Sequence, residues 1–334
     1  MQHKTALLFS GSAGTISQET AILDQLIKQN KIEISEKNTF LAGFGSGALN
    51  IVAINACFRE QNPLSWHNFF RHNFLKEITN EDVFIKVHPI HWSTLPLRKT
   101  ILQFLKDSGF KKISDLPFSS CILASSLNMQ KTIWIQSNSK KAAYGDLSDV
   151  LMATSAIPVL FPTQQINSTD ETPLTIPEGS YAEGAINGIF KKFKKHLRMI
   201  VNEKGAFDEM YIISPSRNFI SYEYDRHNFS ILNLDEREIF DDFLSQISME
   251  GFMAFLSKLQ RTNSVNKFAR KIFICMPETE GDIRLLEFHD QERKYNTVHN
   301  WFENNPDKLA VELGDFIRQH SLTGLIKQDE LYIN

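Results

Sequence analysis

The segment from residue 38 to residue 58, NTFLAGFGSGALNIVAINACF, constrains the fold of this chain more than any other. Its first seven residues are mostly apolar and predict a short buried strand. The stretch GALNIVAINACF is apolar on nearly every side, which predicts a helix in the middle of a domain. Gly43, Gly45 and Gly47 lie at the junction. A buried strand that turns tightly into a buried helix is typical of α/β proteins.

Strand and helix patterns alternate along the rest of the chain. Strand patterns occupy TALLFSG, FSSCILASSL, KTIWIQS, EMYIISP, FSILNL and RKIFICMP. Helix patterns occupy SQETAILDQLIKQN with Ser17 as N-cap, residues 146–162 up to Pro158, and the regions near 236–261 and 291–318, while residues 64–110 look helical with breaks. The alternation predicts an α/β fold with a mostly parallel central sheet and helices on both faces. Since no linker is visible, we expect one domain over residues 1–334.

Charge and the N-terminal sequence limit the kind of partner and compartment. The 334 residues carry a formal net charge of -3 at pH 7, so no global basic field points to nucleic acid. The apolar stretch in MQHKTALLFSGS is too short for a signal sequence or a membrane span, which favours a cytoplasmic protein. Specialised secretion stays open because such systems need not show an apolar leader.

Cysteine and histidine spacing predicts neither a metal site nor another cofactor. Cys57, Cys121 and Cys275 are far apart in the sequence, which favours free thiols over a disulfide or a zinc site. Four histidines lie close together in the sequence without matching any metal-ligand spacing, and we expect ordinary surface or core residues at His67, His72, His88 and His91.

The glycine turn is similar to a nucleophile elbow, in which a serine is exposed on a sharp strand-to-helix turn. The usual pattern is G-x-S-x-G, but here it is displaced by one residue. If Gly43 and Gly47 are the framing glycines, the middle position is Gly45, and the neighbouring hydroxyl belongs to Ser46.

Four segments in the same order resemble the patatin-like phospholipase family, and a fifth lies at the position of its acid. They are SGSAGTISQETAIL for the oxyanion loop and first helix, GFGSGAL for the elbow, LPFSSCILASSLN for a strand, ATSAIPVLFP for a helix, and YAEGAIN for the acid. The likeness covers about residues 5–190 and implies a patatin-like three-layer α/β sandwich.

The resemblance also implies a Ser-Asp dyad, in which serine attacks an acyl ester, aspartate is the base and loop amides hold the oxyanion. All three parts are altered here. Gly45 has no Oγ, and Glu183 stands in the place of the aspartate. The oxyanion loop reads Gly11, Ser12, Ala13 and Gly14, and residues with a Cβ resist positive φ. The expected result is an inactive dyad in a pseudoenzyme that binds lipid or a protein partner.

Two other functions stay open. In the first, Ser46 is the nucleophile and Glu183 the base of an active lipid acyl hydrolase, although Ser46 is also a suitable first residue of a helix. In the second, the pocket is filled by side chains and an outer surface docks onto another protein. Glu183 also has a structural alternative, in which it accepts hydrogen bonds from the 10–15 loop and holds the vacated pocket together.

One basic segment could contact a membrane. FKKFKKHLRM, residues 190–199, places cations around apolar residues in the pattern of a helix that lies on an anionic membrane. The cations are Lys191, Lys192, Lys194, Lys195 and Arg198. An ordinary solvated helix face has the same pattern.

Overall fold

The computed structural model describes residues 3–11, 13–76, 78–88, 91–138, 145–157, 160–166, 179–182, 201–202, 205–215, 252–263, 267–279 and 286–320. The strands are β1 (Thr5–Phe9), β2 (Thr39–Gly43), β3 (Ile85–His88), β4 (His91–Ser93), β5 (Ser119–Ser126), β6 (Lys131–Gln136), β7 (Gln164–Ile166), β8 (Gly179–Ala182), β9 (Phe207–Ile213), β10 (Ala269–Cys275) and β11 (Val311–Glu312). The α-helices are α1 (Ile16–Lys28), α2 (Ser46–Phe58), α3 (Trp66–Phe70), α4 (Leu95–Ser108), α5 (Leu147–Ser155), α6 (residues 252–263), α7 (Gln291–Asn304) and α8 (Leu313–His320).

The central sheet is mostly parallel, as predicted. Its strand order within the described residues is β11-β10-β9-β1-β2-β5-β8-β7, and β6 also pairs with β5. The five strands β10, β9, β1, β2 and β5 are parallel to their neighbours in this order. The antiparallel strands β11, β6, β8 and β7 lie outside this parallel centre.

Strand β5 has three neighbours because two strands share one of its edges. Strand β2 pairs with the first half of β5, up to Ile122, and β8 pairs with Ser125 and Ser126 further along. Strand β6 pairs with Cys121–Ser126 on the other edge. The antiparallel β7–β8 pair therefore starts at the carboxyl end of β5.

Helices cover both faces of the sheet, since successive side chains of β1 are all buried and alternate between two hydrophobic clusters. Leu7 and Phe9 belong to the hydrophobic cluster that contains the buried faces of α1, α2, α5 and α7. Ala6 and Leu8 belong to a second cluster, formed with α6 and α8. Since both faces are buried, the strands read as continuous apolar runs. The sheet and its two helical layers agree with the α/β prediction.

The structure differs from the sequence prediction in three elements. Helix α1 begins at Ile16, one residue before the predicted N-cap, and the buried Ser17 hydroxyl has no hydrogen-bond partner among the described residues. Within residues 64–110, β3 and β4 form a separate hairpin instead of a helix. The region near 291–318 is broken after Asn304, where Pro306 starts a short 3-10 helix and β11 follows.

Several predicted elements lie wholly or partly outside the described residues. They are the FSILNL strand, residues 236–251 of a predicted helix, and most of the loop at residues 167–180. No helix in the described part of the chain is long and apolar enough to cross a bilayer.

Candidate functional site

The turn from β2 into α2 has the geometry of a tight elbow, with Gly45 at its apex. Strand β2 ends at Gly43 and α2 begins at Ser46, so Phe44 and Gly45 alone connect them. Gly45 has φ 54° and ψ -131°, a backbone conformation that residues with a Cβ rarely adopt. The apex therefore carries no side chain.

Ser46 lies one residue beyond the apex. It is the first residue of α2, and it is buried, with 8% of its surface exposed. Gly45 lies outside the helix, with φ 54° and ψ -131°. The Ser46 hydroxyl therefore belongs to the first turn of α2 and not to the apex.

A threonine from a distant helix fixes the apex. The Gly45 N–H donates to Thr154 Oγ1 at 2.9 Å, and the Thr154 hydroxyl donates to the Leu123 carbonyl of β5 at 2.5 Å. Thr154 is fully buried in the last turn of α5. Its hydroxyl therefore joins the elbow, α5 and β5. The sequence marked residues 153–162 only as a family-like segment, and nothing local identifies this threonine as a partner of the turn.

The framing glycines are explained by the close approach of α2 to β1. A Cβ on Gly47 would lie 2.7 Å from Phe9 Cβ and 3.1 Å from the Phe9 carbonyl oxygen. A Cβ on Gly43 would lie 3.2 Å from both of these Phe9 atoms. Only hydrogen fits easily at either place, so the first turn of α2 packs directly on the end of β1.

The loop after β1 lies against the elbow. Gly11 has φ 72°, and a Cβ there would lie 2.7 Å from the Phe44 carbonyl oxygen. A Cβ on Gly47 would be only 3.3 Å from the Gly11 nitrogen. Ala13 also has a positive φ, 42°, although its Cβ disfavours that conformation. The expectation that the Cβ groups of this loop disturb the amides that would hold an oxyanion stays a prediction.

Helix α7 holds the far side of this loop. The Gly14 carbonyl accepts a hydrogen bond from Gln291 Nε2 at 2.7 Å and another from Lys294 Nζ at 3.0 Å. Both donors are buried. Lys294 also donates to the carbonyl of Glu287. The Gly14 carbonyl is thus hydrogen-bonded to α7, some 280 residues away in sequence.

Several predicted site residues lie outside the described residues. They are Ser12, Glu183, Lys191, Lys192, Lys194, Lys195 and Arg198. The nearest described neighbour of Glu183 is Ala182, which pairs with Ser125 in β5. Because β5 and β2 are parallel, this pair lies toward the same edge of the sheet as the elbow.

The cavity beside the elbow is small. It measures about 20 Å³ and has an apolar lining that includes Gly43, Phe44, Phe252 and Phe255. This volume is enough for one water molecule and too small for an acyl chain. Phe252 and Phe255 belong to α6, so this helix forms one wall of the cavity.

A larger cavity lies at the opposite ends of the strands, their amino ends. It measures about 620 Å³ and is lined by Thr5 at the start of β1, by Asn38 just before β2, and by His3 and Glu209. Ligands of open α/β sheets bind at the carboxyl ends of the strands, and this cavity is at the amino ends.

In the described part of the chain, the candidate histidines and cysteines do not come together in a metal site. No group of three or more potential metal ligands is found there. His67 and His72 are exposed, and His72 lies 3.7 Å from an Asp107 carboxylate oxygen. Cys57, Cys121 and Cys275 are buried free thiols.

The sheet and the tight turn from β2 into α2 are consistent with an α/β hydrolase-like fold. Among solved structures, the chain is similar to VipD from Legionella pneumophila, with a TM-score of 0.42 and 9% identity over 92% of this chain and 67% of that chain. Neither a protein-family model nor a curated protein matches the sequence.

Proposed function

We propose that this protein is a patatin-like domain whose Ser-Asp dyad is inactive and which binds a lipid or a protein partner. The observation that carries the proposal is the glycine at the apex of the elbow. The positive φ of Gly45 marks the position where such an elbow exposes its nucleophile, and Gly45 has no oxygen to attack an ester.

The shifted alternative, with Ser46 as nucleophile, receives less support. Ser46 is already helical, and its N–H and Cβ belong to the first turn of α2. The close packing of Gly47 on Phe9 also leaves little freedom for the turn to slide by one residue. The five family-like segments, YAEGAIN among them, support the patatin-like part of the proposal.

Labelling with a fluorophosphonate probe tests the inactive dyad. We expect no covalent adduct on the wild-type protein, because the apex offers no hydroxyl. An adduct that disappears in Ser46→Ala would overturn the proposal and establish the acyl hydrolase that uses Ser46.

A restored dyad tests the register of the elbow. Gly45→Ser combined with Glu183→Asp is expected to gain fluorophosphonate labelling at residue 45, identified by peptide mass spectrometry. Gly45→Ala with Glu183→Asp is the matched control, because it adds the same Cβ without the hydroxyl. Labelling of Ser46 in either variant would contradict the register with Gly45 at the apex.

The choice between a lipid and a protein partner is tested at the small cavity beside the elbow. Phe255 lines the cavity, and Phe255→Ala removes a ring that limits its width. If the cavity takes an acyl chain, this variant binds a fluorescent fatty acid several-fold more tightly than the wild type. Unchanged, negligible binding in both proteins would favour the protein partner.

A further inference from the structure

Large apolar side chains are exposed on the β3–β4 hairpin and on the neighbouring helix α4. Their exposed fractions are 53% for Ile85, 68% for Val87, 66% for Leu95 and 49% for Leu102. Single exposed apolar residues are common on protein surfaces, but a group on adjoining elements marks an interaction site.

The hairpin and the start of α4 are held together by local contacts. Ile85 pairs with Ser93 across the hairpin, and the Ser93 hydroxyl accepts a hydrogen bond from the Leu95 N–H at 3.4 Å. The Leu97 N–H donates to the Val83 carbonyl at 3.1 Å. Ile85 and Leu95 therefore belong to one surface.

The outer face of α4 alternates leucine and lysine. At about 100° per residue, Leu95, Lys99, Leu102 and Lys106 fall within an arc of about 60° and extend over about 16 Å of helix. The inner face is buried and consists of Leu97, Ile101, Phe104 and Leu105. We call Ile85, Val87, Leu95, Lys99, Leu102 and Lys106 the hairpin–helix surface.

The two charged residues that belong to this surface are lysines, and the exposed acidic residues Glu81 and Asp82 precede the hairpin. Lys99 and Lys106 are exposed, and neither forms an ion pair with another described residue. The acidic residue of α4 is Asp107, and its carboxylate contacts His72 and Gln103 away from the leucine–lysine stripe. The protein as a whole is slightly acidic, at -3, so any attraction to anions is local to such a surface.

Buried contacts connect Phe84, at the start of the hairpin, with the loop after β1 that contains Gly14. The ring of Phe84, next to Ile85, lies 6.2 Å from the ring of Phe288. Gln291 Nε2 donates both to the Phe288 carbonyl, at 3.0 Å, and to the Gly14 carbonyl of the elbow loop.

We propose that the hairpin–helix surface docks onto bilayers that contain anionic lipids. A convex helix face of leucines and lysines fits the boundary of a bilayer, where apolar side chains enter the acyl region and lysines meet anionic headgroups. The surface goes beyond the proposed function of the elbow, since docking requires neither a nucleophile nor an occupied cavity.

Flotation of the whole protein with vesicles tests this docking. The vesicles contain either phosphatidylcholine alone or phosphatidylcholine with about one third phosphatidylserine. We expect binding to the anionic vesicles that weakens as salt is raised. Lys99→Glu with Lys106→Glu should weaken it about tenfold or more, since two cations that meet anionic headgroups are replaced by two anions that the headgroups repel. Val87→Ser with Leu95→Ser should weaken it to a similar extent.

Two matched controls separate this surface from general effects. Lys258→Glu with Lys271→Glu makes the same charge change on α6 and β10, where both lysines are exposed. Leu127→Ser with Met129→Ser removes apolar groups of comparable type, exposed by 39% and 41%, from the β5–β6 turn. We expect both controls to bind within about threefold of wild type.

The proposal is overturned by equal binding to neutral vesicles, by no binding, or by equal losses in the controls. It is also overturned if the hairpin–helix variants break up a dimer in analytical ultracentrifugation, since the surface would then contact a second copy. Because the lysine substitutions are exposed, they keep the test valid if the Val87→Ser, Leu95→Ser variant fails to fold. A result for the elbow, such as labelling of Ser46, leaves every outcome of the flotation test unchanged.

Discussion

Two different physical demands select glycine within the five residues of the elbow. Glycine is favoured at residue 45 by the backbone conformation, since φ 54° is strained for a residue with a Cβ. Gly47 needs to be glycine because of its neighbour, since a Cβ would lie 2.7 Å from Phe9 Cβ. At residue 45 a Cβ would strain the backbone of the residue itself. At residue 47 a Cβ would clash with strand β1.

Gly47→Ala tests the packing demand. The added methyl group forces α2 away from β1, and we expect a loss of about 2–3 kcal/mol in the free energy of unfolding, measured in urea. Gly314→Ala is the control, because a Cβ there would meet only side-chain ends at 3.4 Å or more. Since Gly314 is helical, that change should raise stability by up to about 1 kcal/mol. Equal effects of the two substitutions would refute the clash.

Gly45→Ala tests the conformational demand. A Cβ at this φ and ψ costs about 1–3 kcal/mol, and we expect a loss of this size in the urea unfolding free energy. In contrast, Ala13→Gly should be neutral or stabilising by up to about 1 kcal/mol, because it relieves the positive φ of Ala13 at the expense of chain entropy. A stable, unaltered Gly45→Ala protein would show that the apex is relaxed.

At the scale of elements, a single hydroxyl joins the elbow, α5 and β5. Thr154 accepts from the Gly45 N–H and donates to the Leu123 carbonyl, and it is fully buried. The buried helix α2 is supported in a similar way by Asn55. Its side chain accepts from the Phe118 N–H at 2.9 Å and donates to the Ser120 hydroxyl at 3.0 Å. These polar side chains satisfy backbone groups that the apolar core leaves without water.

Thr154→Val should destabilise the protein by about 2–3 kcal/mol, because it leaves the Gly45 N–H and the Leu123 carbonyl buried without this partner. Thr154→Ser keeps the hydroxyl and should cost only about 1 kcal/mol for the lost methyl group. Urea unfolding followed by fluorescence measures both. A valine variant as stable as the serine variant would mean that the hydroxyl does not hold the elbow.

At the scale of the whole molecule, two clusters of apolar side chains enclose the sheet and shield its thiols. All three cysteines are buried. Burial raises the pKa of Cys57 to about 12, and burial also raises the pKa of Cys275. The reactive thiolate is therefore scarce in the folded protein, and access requires unfolding.

Thiol titration with Ellman's reagent at pH 8 should find almost no reactive cysteine in the native protein. Three per chain should react in denaturant. Rapid native reaction of one cysteine would show that the cluster around it opens locally.

The same raised pKa values predict how stability changes with pH. In the unfolded chain the Cys57 thiol ionises near its ordinary pKa of 9.0, whereas in the folded protein it stays protonated up to about 12. Tyr181 behaves similarly, since burial raises its pKa from 10.0 to about 12. Above pH 9 the unfolded state therefore binds fewer protons, so stability falls as the pH rises toward 12. Urea midpoints at pH 7, 9 and 10 measure this fall in stability. If the Cys57→Ala variant loses less stability over the same pH range, the difference is the contribution of the Cys57 thiol.

Much of the fold could be read from local patterns in the sequence. The apolar runs at β1, β2, β5, β9 and β10 have the length and composition of strands buried on both faces. The helix at α5 ends before Pro158, as proline requires. The β3–β4 hairpin was not predicted, because IKVH and HWS are only 4 and 3 residues long and are too short for a clear alternating pattern.

The sequence by itself determined the buried strands and helices and the residue at the apex of the turn. Spacing of apolar residues and the absence of a Cβ on Gly45 act within a few residues, and they need no distant partner. Only the tertiary structure decided which groups meet at that turn. Thr154 reaches Gly45 across 109 residues, and Lys294 reaches Gly14 across 280. Such contacts arise when separate elements pack in one core, and the chemistry of either residue alone does not specify its partner.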